Sequence, residues 1–90
     1  MTSIEGLGGF DVIFEHKNGS FSGFHQNDIK EARENRKFMM KLHGDVVTWW
    51  IISIDDNKVS ESGGNQKDLH PQAFGYDPIE GVISLTKDKG

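Results

Sequence analysis

Val46-Val47-Thr48-Trp49-Trp50-Ile51-Ile52-Ser53-Ile54 is the most apolar run of the chain, and its reading decides the fold. Its β-branched and aromatic side chains fit a pleated, packed surface and favour strand over helix. Successive strand side chains point to opposite faces, so Val46, Trp50, Ile52 and Ile54 fall on one side and Val47, Trp49 and Ile51 on the other. A strand with one solvated face would show a polar row, and this one shows none. The pattern predicts a central strand with both faces covered.

On the N-terminal side, Asp28 followed by Glu31 has the spacing of a capping box, with Asp at the cap. Residues Ile29 to His43 are mostly good helix formers, and Gly44 is placed to end the helix in a left-handed conformation. At 100° per residue, Ile29, Ala32, Met39 and Met40 share one face, with Arg36 and His43 at its edges. Phe38 and Leu42 fall opposite, either packed by other parts of the chain or left as a contact surface. Further upstream, Phe10, Val12 and Phe14 alternate as in a half-buried strand. Lys17-Asn18-Gly19-Ser20 favours a tight hairpin turn, and Phe21 to His25 reads as the returning strand.

On the C-terminal side, Asp55-Asp56-Asn57 makes a turn and Lys58 to Ser62 a short polar strand. Gly63 to Pro78 lacks periodicity, and loops beyond roughly 12–15 residues are uncommon unless functional or disordered. Ile79 to Thr86 reads as a last strand. The predicted order is ββαβ(β)β: an α+β fold, a small antiparallel sheet with one helix packed on one face. Residues 1–9 are expected to form a flexible leader, 10–86 the single domain and 87–90 a disordered tail.

Composition bounds the function. The chain has 90 residues, no cysteine and a net charge of −4. Structural disulfides, thiolate metal sites and cysteine nucleophiles are therefore excluded. No basic and apolar leader marks export, and no apolar run reaches the ~20 residues of a membrane span, so the expected setting is cytoplasmic, with no membrane partner. Asn18-Gly19-Ser20 then reads as a turn, not a glycosylation acceptor. Residues 28–43 carry five of the ten basic residues (Lys30, Arg33, Arg36, Lys37, Lys41) and only three of the fourteen acidic ones.

Two surfaces carry the functional expectation. With the helix on the Trp50 side, the second sheet face would hold Ile13, Phe24, Val47, Trp49 and Ile51, with Val82 from the last strand. Three coverings are open for it: the 63–78 loop folding back through Leu69, Phe74 and Tyr76, a second copy of the chain, or a different protein or ligand. Large exposed apolar patches mark interaction sites, and tryptophan is enriched among hot spots, which singles out Trp49. The other surface is the stripe Lys30, Arg33, Lys37 and Lys41, spaced three and four apart along the helix. It suits a small anionic ligand, a nucleotide or nucleic acid, although helix charge runs are usually only solvated and Glu34 partly neutralises this one.

Catalytic patterns are not found. The histidines at 16, 25, 43 and 70 lack metal-ligand spacing, and only His16 and His25 are placed to meet across the hairpin. Asp55-x-Asn57 opens like a calcium loop, but Ser60 stands at the glycine position and Gln66 at that of the bidentate glutamate. Gly19-Ser20-Phe21-Ser22-Gly23 has the wrong register for a nucleophile elbow. The expectation is a non-catalytic binding protein without metal or cofactor. It would be an inhibitor, antitoxin-like or accessory factor of phage or bacterial type, whose partner is another protein or itself as a homodimer.

Overall fold

The computed structural model describes residues 8–78. Strand β1 (Phe10–His16) and strand β2 (Phe21–Gln26) form the hairpin, helix α1 (Ile29–Leu42) follows, and strands β3 (Val46–Ser53) and β4 (Lys58–Gly64) complete an antiparallel sheet of order β2-β1-β3-β4. This is the α+β arrangement the sequence predicts. The expected strand at 79–86, its Val82, residues 1–7 of the expected leader and the 87–90 tail lie outside the described residues. Among the described residues, no helix is long and apolar enough to cross a membrane.

The hairpin closes at Asn18-Gly19. Gly19 takes φ +90° and donates to the His16 carbonyl at 2.8 Å, while the Asn18 side chain accepts from the Ser20 amide at 3.0 Å. Only the glycine needs positive φ. Asp28 caps α1 by accepting from the Glu31 amide. The helix ends differently from the expectation. An extended His43, φ −117°, closes it by donating to the Met39 carbonyl, and Gly44 is not left-handed. The chain must enter β3 within three residues of Leu42, and an extended His43 makes that turn without a left-handed residue.

The faces are assigned by cross-strand pairing. Val12 pairs with Ile51 and Phe14 with Trp49, and this side packs on Ile29, Ala32, Met39 and Met40 of α1. Ile13 pairs with Trp50, and Asp11 with Ile52, so these four point to the other side. The helix therefore lies on the Trp49 and Ile51 side, the reverse of the expected placement. A register shift between Glu15 and His16 gives Val47 no partner of its own and puts Val46 on the helix side as well.

Residues 65–78 cover the second face. Asn65 donates to the Val47 carbonyl, and the Gln66 amide donates to Thr48 Oγ1 at 3.1 Å, which starts the segment back across the sheet. A 3-10 turn, Pro71–Phe74, with Pro71 buried, then places Phe74 face to face with Phe21 at 4.4 Å and tilted against Trp50 at 5.3 Å. Tyr76 completes the cover and packs with Ile13, Trp50 and Ile52. Of the three open coverings, the loop is the one found, through Phe74 and Tyr76; Leu69 stays exposed. The Gly9 carbonyl accepts from the Ile54 amide at 2.9 Å, at the start of β1.

Candidate functional site

With both sheet faces covered, the two most exposed large apolar side chains among the described residues lie along one flank. Helix α1 reaches β1, β2 and β3, and its side above β2 is not filled in. There Phe24 and Gln26 of β2 and Asn35, Phe38 and Met39 of α1 line an open groove of about 340 Å³. Phe38 is 58% exposed and Leu42 60%, on the helix side turned from the core. Among the described residues, no packing absorbs them. Two large apolar side chains at one edge, beside a groove, form a patch of the kind that marks an interaction site.

The two sheet edges differ. Strand β4 carries Lys58 and Glu61, is bulged opposite Ile51 and Ile52, and ends on a left-handed Gly64. Charge and bulges are the usual protections of a sheet edge. Strand β2, Phe-Ser-Gly-Phe-His-Gln, has neither a formal charge of fixed sign nor a proline, and among the described residues no strand pairs with its outer side.

A polar cluster closes one end of this flank. Ser22 Oγ lies 2.7 Å from His16 Nε2, and His16 Nδ1 lies 3.1 Å from Asp45 Oδ1. The His43 ring meets His16 edge-on at 6.3 Å. Asp45 is held below the usual carboxylate range chiefly by its hydrogen bond from His16. An ionised Asp45 accepts only, so Nδ1 carries a proton, and in the neutral form of the ring Nε2 is then the acceptor toward Ser22.

A second cluster ties the cover to the sheet. Asp11 is buried at 4% exposure, receives a 2.8 Å hydrogen bond from His25 Nδ1 on Oδ1, and a 2.6 Å hydrogen bond from the Tyr76 hydroxyl on Oδ2. Burial, and then this bond, pushes the Tyr76 hydroxyl well above its ordinary value. His16 and His25 therefore go to separate carboxylates and form no pair. Among the described residues, no group of three His, Asp or Glu side chains is placed to hold a metal.

The residues expected at a partner face are separated by the fold. Ile13 is fully buried under Tyr76, and Ile51 fully buried under α1, so one partner cannot touch both. Val47 is half-buried at the bulge. Trp49 is half-buried between the Arg36 guanidinium, 3.9 Å above its ring, and Gly63, where an added Cβ would stand 2.7 Å from the indole nitrogen. Phe24 alone borders the open groove. The anionic-ligand residues do share one exposed helix side: Lys30, Arg33, Lys37 and Lys41 are all exposed, and Arg33 is already paired with Glu61 of β4.

Asp45 and Asp11 were not singled out from sequence, Ser22 entered only in the rejected nucleophile-elbow pattern, and Tyr76 only as an apolar part of the loop cover. Part of the signal was present. A turn at residues 17–20 fixes the hairpin register, in which Asp11 stands opposite His25. Asp45 and Tyr76 arrive from distant segments, and no spacing announces them. Comparison of the chain with protein-family models, with curated proteins and with solved structures finds no match.

Proposed function

We propose that the chain is a non-catalytic protein-binding domain, of the inhibitor, antitoxin-like or accessory kind. It engages another protein or a second copy of itself along the β2 flank. The observation that carries this is the exposure of Phe38 and Leu42 beside the Phe24 groove, at the one described sheet edge without charge protection. A partner strand added to β2 would gain backbone hydrogen bonds, and an apolar side chain set in the groove would supply selectivity. The cysteine-free sequence supports a cytoplasmic setting.

The test is photo-crosslinking from position 38. Benzoylphenylalanine there should join the chain to one defined protein, itself or another, and the same probe at exposed Lys67 should not. Phe38→Asp should weaken that complex at least about ten-fold, as for a hot-spot residue, without altering the far-ultraviolet circular dichroism. Crosslinking that is equal at both positions, or a complex whose affinity is indifferent to Phe38→Asp, removes the reading.

A second reading rests on the basic stripe. Lys30, Lys37 and Lys41 enter no salt bridge among the described residues, which leaves their charge available to a small anion. Lys37→Glu with Lys41→Glu should then abolish binding of a short oligonucleotide or a nucleotide in low salt, with a steep salt dependence in the wild type. Identical titrations of wild type and double variant would dismiss it.

A further inference from the structure

Beside the apolar groove stands the one serine of the described chain whose hydroxyl meets a histidine that is itself held by a carboxylate. Ser22 Oγ to His16 Nε2 is 2.7 Å and His16 Nδ1 to Asp45 Oδ1 is 3.1 Å. Three elements build this arrangement. Ser22 comes from the edge strand β2, His16 from the end of β1, and Asp45 from the link between α1 and β3. The His16 side chain is 13% exposed, so its ring is confined, whereas Asp45 is 51% exposed and reaches it from the solvent side.

A base on a serine oxygen, with a third group fixing the tautomer of that base, is the general arrangement of an activated nucleophile. The tautomer deduced above is the competent one, with Nε2 free to take the Ser22 proton. Ser22 does not itself line the open groove, but it is a near neighbour of that lining along β2. It lies two residues from Phe24 on the same side of β2, roughly 7 Å along the strand. Phe24, with Phe38 and Met39 of α1, lines that groove.

We propose that Ser22 is a covalent acyl acceptor, taking a short aliphatic acyl group from an activated aryl ester or thioester whose chain lies along Phe24 and Phe38. Ser22 Oγ bonds to the acyl carbon as its proton passes to His16 Nε2. The bond from that carbon to the leaving oxygen or sulfur then breaks, and the leaving group departs with its electron pair and takes the proton back from His16. Charge balances, and no oxidant or further reactant is needed. The step is a single capture, without turnover, and it stands apart from the partner-binding reading.

The experiment uses p-nitrophenyl butyrate and p-nitrophenyl acetate with the full chain. A burst of nitrophenolate matching the protein present is expected, with one butyryl group found on Ser22 by peptide mass spectrometry. Ser22→Ala should lose that adduct. Asp45→Asn, a mild change at an exposed position, should slow its formation roughly ten-fold or more. Lys58→Gln, exposed on the far sheet edge β4, should leave it within about two-fold, a small share of the effect of a general base. Butyrate should react faster than acetate, and Phe38→Ala should erase that preference. An adduct on a lysine or on Tyr76 in place of Ser22 would overturn the assignment, as would a Ser22 adduct whose rate ignores Asp45→Asn. Circular dichroism of each variant separates these outcomes from misfolding.

Discussion

Gly64→Ala is expected to cost about 3 kcal/mol or more, a large share of the roughly 5–15 kcal/mol that holds a domain folded. Gly64 has φ +104°, which alanine adopts only with strain, and an added Cβ would run into the Val47 carbonyl oxygen and stand 2.6 Å from Thr48 Cα. Those atoms are backbone of the central strand β3 and cannot swing aside. The same turn sends Asn65 and Gln66 back onto Val47 and Thr48, so the change disrupts the start of the segment that covers Trp50. Three companions grade the effect. Gly63→Ala meets the Trp49 indole, a side chain able to shift if the flexible Arg36 above it gives way, and should cost less, about 1–3 kcal/mol. Gly19→Ala has φ +90° and open space, so strain alone applies, about 1–2 kcal/mol. Gly44→Ala has open space and no positive φ, and should change little. Urea unfolding midpoints check the order. A Gly64→Ala midpoint no lower than that of Gly19→Ala would mean that the β4 turn is not tight.

Which parts of this fold the sequence announces follows from how local their causes are. The hairpin, the Asp28 cap and the apolar face of α1 each depend on residues within a few positions of one another, and all three are found. The choice of sheet face for the helix is not local. It depends on the pairing of β1 with β3, Val12 opposite Ile51 and Ile13 opposite Trp50, across the whole helix. A strand apolar on both sides gives no preference between them, so Trp49 was assigned to the outside when α1 in fact lies over it. The covering of the Trp50 face was foreshadowed by Phe74 and Tyr76, whereas the third residue of that expectation, Leu69, points away. The Phe38 and Leu42 exposure was visible on the helical projection. What the projection lacked was β2 beside them, and hence the groove. The Ser22, His16 and Asp45 cluster joins residues up to 29 apart, and only the assembled sheet end brings them together.

Tyr76→Phe separates the polar part of the cover from its apolar part. The ring remains, so Ile13, Trp50 and Ile52 stay packed, but the buried Asp11 carboxylate loses its 2.6 Å donor and keeps only His25. Leaving a buried carboxylate oxygen unpaired costs about 1–3 kcal/mol, the expected loss at neutral pH. The pH dependence identifies the cause. Burial and Asp11 hold the Tyr76 hydroxyl above its unfolded value, so the folded state keeps a proton that the unfolded chain releases. The associated stabilisation is therefore complete below pH ~10 and declines above it, by roughly 1.4 kcal/mol per pH unit, as the unfolded tyrosine ionises. Phenylalanine has no such proton. The stability difference between wild type and Tyr76→Phe should thus be level from pH 7 to 9 and shrink or reverse toward pH 11. Urea unfolding followed by tryptophan fluorescence measures it, with Trp50 beneath the cover as the reporter. A difference that stays level to pH 11 would place the folded and unfolded hydroxyls at the same proton affinity, and the Asp11 bond could not then be what holds residues 71–76 on the sheet.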